Sequence, residues 1–211
     1  MNVSPSKENI LKKIRKALTH STPLPFPQSE GNSSVYKPSQ KELEVEFAEQ
    51  LNKLSGKFIF CLTQKELVAQ LKAVIEHNNW QNIFCVDEEL KKMLAANNFT
   101  NFSYNDLPGS DVAITSCEAL IARTGSILLS AALPGGRTTS VYAPVHFCIA
   151  YTHQLLYDVK DGLQLVKEKY PAGLPSLITF ATGPSRTADI EKTLVVGVHG
   201  PKEVYVFLVD E

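Results

Sequence analysis

Short apolar runs alternate with helical periodicity in the first half of the chain, and this alternation constrains the fold more than any other feature. The apolar runs span residues 58–62, 83–86 and 111–115, and helical stretches separate them, the second over residues 87–96. Strands that are apolar throughout are typical of a parallel sheet with both faces covered. The pattern therefore predicts an α/β fold built on a mostly parallel sheet.

Two sequence signatures predict where helices begin. Ser39 with Glu42, and Thr63 with Glu66, have the spacing of a capping box, in which each end of the motif satisfies a free backbone N–H group. Gly56 stands at the expected C-terminal cap of the first of these helices.

After Ser116 the order of elements changes. Strands are predicted at residues 127–129, 146–150, 177–181 and 204–209, with one helix near residues 159–170. Because the connections are short, this half is expected to be mostly sheet and to include antiparallel strands.

The N-terminal region predicts a helix on a linker. Ser4 and Pro5 suit a helix start, and a single apolar face follows, made of Ile10, Leu11, Ile14 and Leu18. We expect an amphipathic helix over residues 1–18, a proline-rich linker over 19–39 and an α/β domain over 40–211. An isolated helix cannot bury its apolar face alone, so this one either folds back on the domain or docks on a partner chain.

Charge and hydropathy exclude several classes of protein. Lys and Arg total 21 and Asp and Glu total 22, a net charge of −1, so no overall positive field attracts nucleic acid or an anionic membrane. The apolar runs are far shorter than the about 20 residues that span a bilayer, and the charged first twenty residues lack the apolar block of a secretory signal. We expect a cytoplasmic protein with neither nucleic acid nor membrane as a partner.

The four cysteines are spaced too widely for an iron–sulfur or structural zinc site. They are Cys61, Cys85, Cys117 and Cys148. We expect reduced thiols in the core, with no metal and no cofactor held by this chain.

The segment from Thr182 to Asp189 is the most informative loop. It follows a predicted strand, and Ser185 or Thr187 is expected to cap a short helix whose free N–H groups would bind an anion. Arg186 offers a planar fork for a carboxylate or phosphate. The alternative is an ordinary turn in which Arg186 and Asp189 form a surface ion pair.

Two further loops contain residues suited to chemistry. Gly135, Gly136 and Arg137 would let the backbone approach a ligand closely, or they form a plain hairpin turn. Glu118 is either a general base or a solvated helix charge. Among the histidines, His146 and His199 are each either a proton-transfer group, a donor to a carboxylate, or a hydrogen-bonded structural residue.

Four ordered motifs together resemble the LUD-domain family, and within it the lactate utilization members. They are residues 121–126 (Ile-Ala-Arg-Thr-Gly-Ser), 136–137 before 143–146, 182–191 (beginning Thr-Gly-Pro-Ser-Arg-Thr-Ala-Asp) and 197–201 (Gly-Val-His-Gly-Pro). The resemblance covers about residues 58–211 and is strongest at 182–189. The chain departs from the family pattern at residues 138–140, where Thr-Thr-Ser replaces the usual Leu-Ser after the arginine.

The resemblance implies a fold and a reaction. The fold is the three-layer α/β/α arrangement of ribose-5-phosphate isomerases and CoA transferases. The reaction is oxidation of L-lactate to pyruvate alongside two iron–sulfur partner proteins, which would hold the clusters. Since no ordinary side chain accepts two electrons, this chain is expected to be a non-redox subunit that is inactive alone.

The motif positions also select a pocket for a small carboxylate or phosphate. The substrate-binding candidates are Thr124, Gly125, Gly135, Gly136, Arg137, Thr182, Gly183, Ser185, Arg186 and Thr187, and the catalytic candidates are Glu118, Asp189 and His199. Arg186 is expected to hold the carboxylate with support from Arg137, while Glu118 or His199 takes the hydroxyl proton. Two alternatives remain open: a purely structural adaptor, and a stand-alone enzyme acting on a phosphorylated or CoA-linked substrate.

Overall fold

A computed structural model describes residues 5–18, 41–102, 106–190 and 193–210. The chain divides into two compact units, residues 1–38 and 39–211. The first unit contains helix α1 (Pro5–Leu18), with Glu8 in its first turn and Arg15 and Lys16 in its last. Whether this helix folds back or docks on a partner stays a prediction, as do the domain boundaries, and residues 19–39 lie outside the described residues.

The second unit contains the remaining elements. The helices are α2 (Leu43–Lys53), α3 (Gln64–His77), α4 (Glu88–Ala96), α5 (Thr139–Tyr142) and α6 (Val159–Lys169). The strands are β1 (Lys57–Cys61), β2 (Ile83–Phe84), β3 (Val112–Thr115), β4 (Ala119–Ile121), β5 (Ser126–Ser130), β6 (Val145–Tyr151), β7 (Leu155–Leu156), β8 (Ile178–Ala181), β9 (Arg186–Ile190), β10 (Thr193–Val196) and β11 (Glu203–Val209). Among the described residues, no helix is both long and apolar enough to cross a membrane.

The central sheet has the strand order β1-β11-β6-β3-β2, and every neighbouring pair is parallel. Helices α3 and α4 cover one face, where Leu67, Leu71 and Leu94 pack against Phe147 and Phe207. Each such side chain contributes about 1.5–3 kcal/mol to the free energy of unfolding, because folding removes it from water. The prediction of an α/β fold with a mostly parallel sheet flanked by helices is confirmed.

A second sheet covers the other face. Its order is β7-β4-β5-β8, with antiparallel pairs β4–β5 and β5–β8, so the expected antiparallel strands are confirmed. Phe47 and Leu51 of α2 join Leu120, Ile127 and Cys148 in the core between the two sheets. Helix α6 closes the outer face of the second sheet through Val166.

The capping predictions are right for α3 and wrong for α2. Thr63 Oγ1 accepts from the N–H of Glu66 at 3.2 Å, and Glu66 Oε2 accepts from the N–H of Leu62, the residue before the cap, at 2.9 Å. Helix α2 instead begins after Glu42, whose side chain makes no capping bond, and Ser39 lies outside the described residues. At its C-terminal end the left-handed residue is Ser55, with φ 65°, rather than Gly56.

The helix predicted after the turn at residues 182–185 is also wrong. The chain there forms β9, which pairs antiparallel with β10. Long-range hydrogen bonds, which the local sequence does not reveal, select the extended form: Ser185 N–H donates to Pro201 O at 2.9 Å and Gly197 N–H to Ser185 O at 3.0 Å. No helix N-terminus is therefore available here to bind an anion.

All four cysteines are buried and free, as predicted. Burial raises the pKa of Cys61 and of Cys85 to about 11, so neither thiol is ionised near neutral pH.

Candidate functional site

One cavity collects side chains from segments that are distant in the sequence. We call it the loop cavity; its volume is about 240 Å³, and its polar lining residues are Ser140, His146, Thr179, Thr182, Ser185 and His199. Ser140 comes from α5, His146 from β6, and the others from β8 and the loops at residues 182–185 and 197–201. The cavity thus lies where the loops at residues 182–185 and 197–201 meet α5, the short helix that follows the loop of Gly135, Gly136 and Arg137.

The loops at residues 182–185 and 197–201 hold each other directly. The hydrogen bonds of Ser185 with Gly197 and Pro201 tie them together, and Gly200 lies so close that a Cβ there would stand 2.8 Å from Ser185 Cβ. Only glycine fits at this position, since such an approach is shorter than real Cβ contacts. The loops at residues 182–185 and 197–201 therefore lie against each other.

The loop of Gly135, Gly136 and Arg137, which we call the glycine loop, does not itself line the loop cavity. Gly136 N–H donates to Leu133 O at 2.8 Å and Thr139 Oγ1 donates to Gly135 O at 2.8 Å, which closes a tight turn leading into α5. Gly135 and Gly136 line a second, narrower space, the glycine cleft, together with Asp87, Thr115 and Ser116. Ser140 belongs to the lining of both spaces.

Arg137 lies outside the lining of both spaces. Its Nη2 donates to Ser176 Oγ at 2.6 Å. This contact connects the glycine loop to the segment that precedes β8, so in the structure Arg137 fastens two segments together.

His146 lies against the loop cavity and is almost inaccessible, with 1% of its surface exposed. Its Nε2 is 2.8 Å from Thr115 Oγ1 on the neighbouring strand β3. Burial lowers the pKa of His146 to about 4, so the ring is neutral near pH 7. The motif positions do not select His146 as a site residue, although a polar residue at the start of an apolar strand is a signal that the sequence offers.

A chain of hydroxyl groups leads from the 122–126 turn to the cavity. Thr124 Oγ1 and Ser126 Oγ are 2.7 Å apart, and Ser126 Oγ and Thr182 Oγ1 are 2.8 Å apart. Of these three residues, Thr182 lines the cavity. Thr124 is therefore connected to the site through two hydrogen bonds.

Gly125, Gly183 and Arg186 contact the C-terminal end of α2. Both glycines have left-handed φ, 62° and 76°; a Cβ would lie 2.5 Å from the α2 backbone at Gly125 and 2.7 Å from Leu54 O at Gly183. Arg186 Nη2 donates to Leu54 O at 2.7 Å and to Ser55 Oγ at 3.0 Å. A cation bonded to the last carbonyls of a helix stabilises that helix end. These three motif residues thus position a helix, and Arg186 does not line the cavity.

Glu118 is buried, with 4% of its surface exposed, so the alternative of a solvated helix charge is wrong. It accepts hydrogen bonds from Ser130 Oγ at 2.5 Å, Lys169 Nζ at 2.7 Å and Tyr170 Oη at 2.8 Å. Burial alone would raise the pKa of this carboxyl, but the three donors outweigh it and hold the pKa below its usual range. Glu118 is not among the residues that line the loop cavity.

The remaining candidates lie near the cavity rim or on β9. His199 is exposed and lines the cavity. Thr187 is on β9 opposite Val195. Asp189 is on the same strand, but its side chain lies outside the described residues. Within the described ranges, no three His, Cys, Asp or Glu side chains gather as metal ligands.

A family model described as "LUD domain" matches residues 45–209, which is most of the chain. The match covers every strand of both sheets and all the loops around the cavity.

Curated relatives share about a third of the residues over about half of this chain. A protein named "Lactate utilization protein C" from Deinococcus radiodurans is 34% identical over 108 residues, covering 51% of this chain and 50% of the relative. One of the same name from Bacillus subtilis is 33% identical over 104 residues, covering 48% and 43%. An uncharacterised protein from Neisseria meningitidis is 27% identical over 142 residues, covering 66% and 59%. The aligned part spans about half the length of these relatives.

A solved structure shares the fold. The crystal structure of a DUF162 family protein from Deinococcus radiodurans superposes with a TM-score of 0.61 at 19% identity, covering 82% of this chain and 99% of that one.

Proposed function

Because this chain belongs to the LUD-domain family, we propose that it acts in lactate utilization and binds a small carboxylate, lactate or pyruvate, in the loop cavity. The names of the curated relatives support the process. The loop cavity supports the ligand class, and it is the observation that carries the proposal.

The size and lining of the cavity suit a small acid. A volume of about 240 Å³ lies below the about 300–1,000 Å³ of pockets that take drug-sized ligands, so a molecule of a few heavy atoms fits better. Hydroxyl groups of Ser140, Thr182 and Ser185 offer donors to carboxylate oxygens, and two imidazoles flank them. A lactate or pyruvate anion would be bound by neutral hydrogen-bond donors.

The motif residues outside the lining have supporting roles in this proposal. Arg186 holds α2 against the 182–185 loop, and Arg137 holds the glycine loop against Ser176. Glu118 is occupied by three donors, so the hydroxyl proton of lactate would go to His199, which lines the cavity and is exposed.

Oxidation of a 2-hydroxy acid to a 2-oxo acid needs an electron acceptor. No ordinary side chain takes up two electrons, and the family resemblance implies iron–sulfur clusters in two partner subunits. We propose that this chain is the non-redox subunit of such a complex, positioning the acid while the partners accept the electrons.

A structural adaptor is the second candidate, and one observation favours it. The printed contacts of Gly125, Gly183 and Arg186 are made within the chain, to the C-terminal part of α2, so these three motif residues serve the fold. An adaptor would assemble with its partners without binding the acid.

Isothermal titration of the purified full chain with pyruvate, L-lactate and inorganic phosphate separates the two candidates. We expect heat with the acids, and a loss of at least about tenfold in affinity for Thr182→Val, which removes one hydroxyl donor to the charged carboxylate. His77→Gln, on an exposed histidine at the end of α3, is the control and should bind like the parent. No heat with either acid, alone or with the partner subunits present, rejects the pocket and leaves the adaptor.

A further inference from the structure

We infer that His146 is the ligand-contacting residue of the loop cavity: its Nδ1–H donates to the carboxylate of the bound acid, while Thr115 fixes the tautomer through Nε2. This inference deepens the proposed function and rests on it. It assigns the anion contact to a buried histidine rather than to the motif arginines.

A hydrogen bond at Nε2 orients the ring of His146. His146 belongs to the lining of the loop cavity, and its Nε2 is occupied by Thr115 Oγ1 at 2.8 Å. Within the described residues, Nδ1 has no hydrogen-bond partner, and it is not counted with Glu46 Oε2 as a fully buried side-chain atom that lacks one. Nδ1 therefore keeps part of the small surface, 1%, that His146 exposes, and the loop cavity is the space that His146 lines.

The hydrogen bond to Thr115 bears on the tautomer of His146. A neutral imidazole has one donor and one acceptor nitrogen, and a hydrogen bond at one determines the role of the other. Thr115 Oγ1 can donate to Nε2 without losing another partner, because its side chain makes no other hydrogen bond to the residues that the structure describes. Nδ1 then carries the proton, as a carboxylate acceptor requires.

The buried ring of His146 is neutral near pH 7. A buried imidazole that stays neutral costs far less than a buried imidazolium, and burial lowers the pKa of His146 accordingly. A neutral donor facing a carboxylate makes a charge-assisted hydrogen bond, stronger than a bond between two neutral groups. The residue thus binds an anion without a permanent positive charge in the core.

Thr115 lines the glycine cleft and His146 lines the loop cavity, so the Thr115–His146 hydrogen bond lies between the two spaces. Thr115 does not line the loop cavity, so a change there reaches the ligand through the hydrogen bond to His146. This provides a variant that alters the contact without touching the cavity wall.

The test compares three variants of the full chain by titration with pyruvate. His146→Leu should bind at least about tenfold more weakly, the loss of one hydrogen bond to a charged group. His146→Asn places an amide where Nδ1 stood and should recover most of that loss, and Thr115→Val should fall between them. Melting temperatures monitor folding, and His199→Gln shows what the exposed histidine contributes.

A spectroscopic readout tests the tautomer in the parent protein and does not depend on a variant that folds. With ¹⁵N-labelled histidine, pyruvate should shift the ring nitrogens of His146 and leave Nδ1 as the protonated one. Ring resonances unchanged by saturating pyruvate overturn the inference, as does unchanged affinity in His146→Leu; in either case a parent that still binds pyruvate preserves the proposed function. A parent that binds neither acid overturns both.

Discussion

Lowering the pH should destabilise this protein through His146 before its carboxylates are protonated. Burial lowers the pKa of His146 from 6.5 to about 4. Between these values the unfolded chain binds a proton that the folded chain does not, so the free energy of unfolding falls as the pH falls. The contribution is complete above pH 6.5 and lost below pH 4. From pH 7 to pH 5 the loss is about 2 kcal/mol.

Urea unfolding of the parent and of His146→Asn at pH 7, 6 and 5 isolates this contribution. The parent should lose about 2 kcal/mol more than the variant over that range, because asparagine does not titrate. Glu118, whose pKa is held below its usual range, keeps its stabilisation above the unfolded pKa and loses it only at lower pH. If the free energy of unfolding decreased equally with pH in the two proteins, the prediction that His146 is buried and neutral would be refuted.

Three further predictions concern residues that the motifs selected. Gly125→Ala should destabilise the fold by more than about 2 kcal/mol, since it adds both left-handed strain and contact with the α2 backbone; Gly136→Ala, with φ 57° and no atom within 4 Å, should cost about 1 kcal/mol, and equal losses in thermal unfolding would contradict this. Arg186→Ala should lower stability by about 1 kcal/mol and increase hydrogen exchange at the end of α2, whereas unchanged exchange there would argue for a free guanidinium. Glu118→Gln should cost about 1–3 kcal/mol in urea unfolding with pyruvate affinity nearly unchanged; a large loss of affinity in a stable variant would return Glu118 to the site.

The central sheet could be predicted because its strands are apolar throughout. A run such as residues 58–62 or 111–115 has no polar face, so it must be covered on both sides, and this requirement is visible in the sequence. Caps that rely on near neighbours were also predictable, as Thr63 shows. The strands β4 and β7 were missed because two or three residues carry no periodicity.

The conformation after the 182–185 turn could not be read locally. Serine and threonine suit a helix cap as well as a strand end, and the choice is made by the bonds of Ser185 to Gly197 and Pro201. Those partners lie more than ten residues away in the sequence, so local propensity does not reveal them.

The contacts of the motif glycines and arginines could not be predicted, and the reason lies in what glycine and arginine indicate in a sequence. Glycine indicates a close approach but not what approaches, and at Gly125 and Gly183 the neighbour is α2. A guanidinium suits a ligand carboxylate as well as the carbonyls of a helix end, which Arg186 contacts here. The sequence left the role of His146 open between a structural and a proton-transfer residue, because that role depends on Thr115 and on burial, both tertiary features.

A crystal structure of the full chain with pyruvate tests the central claim most directly. We predict pyruvate in the loop cavity, its carboxylate within hydrogen-bond distance of His146 Nδ1 and facing the hydroxyls of Thr182 and Ser185, with Arg186 still bonded to Leu54 O. Pyruvate bound at Arg186 or in the glycine cleft, or an empty loop cavity at saturating concentration, would contradict it.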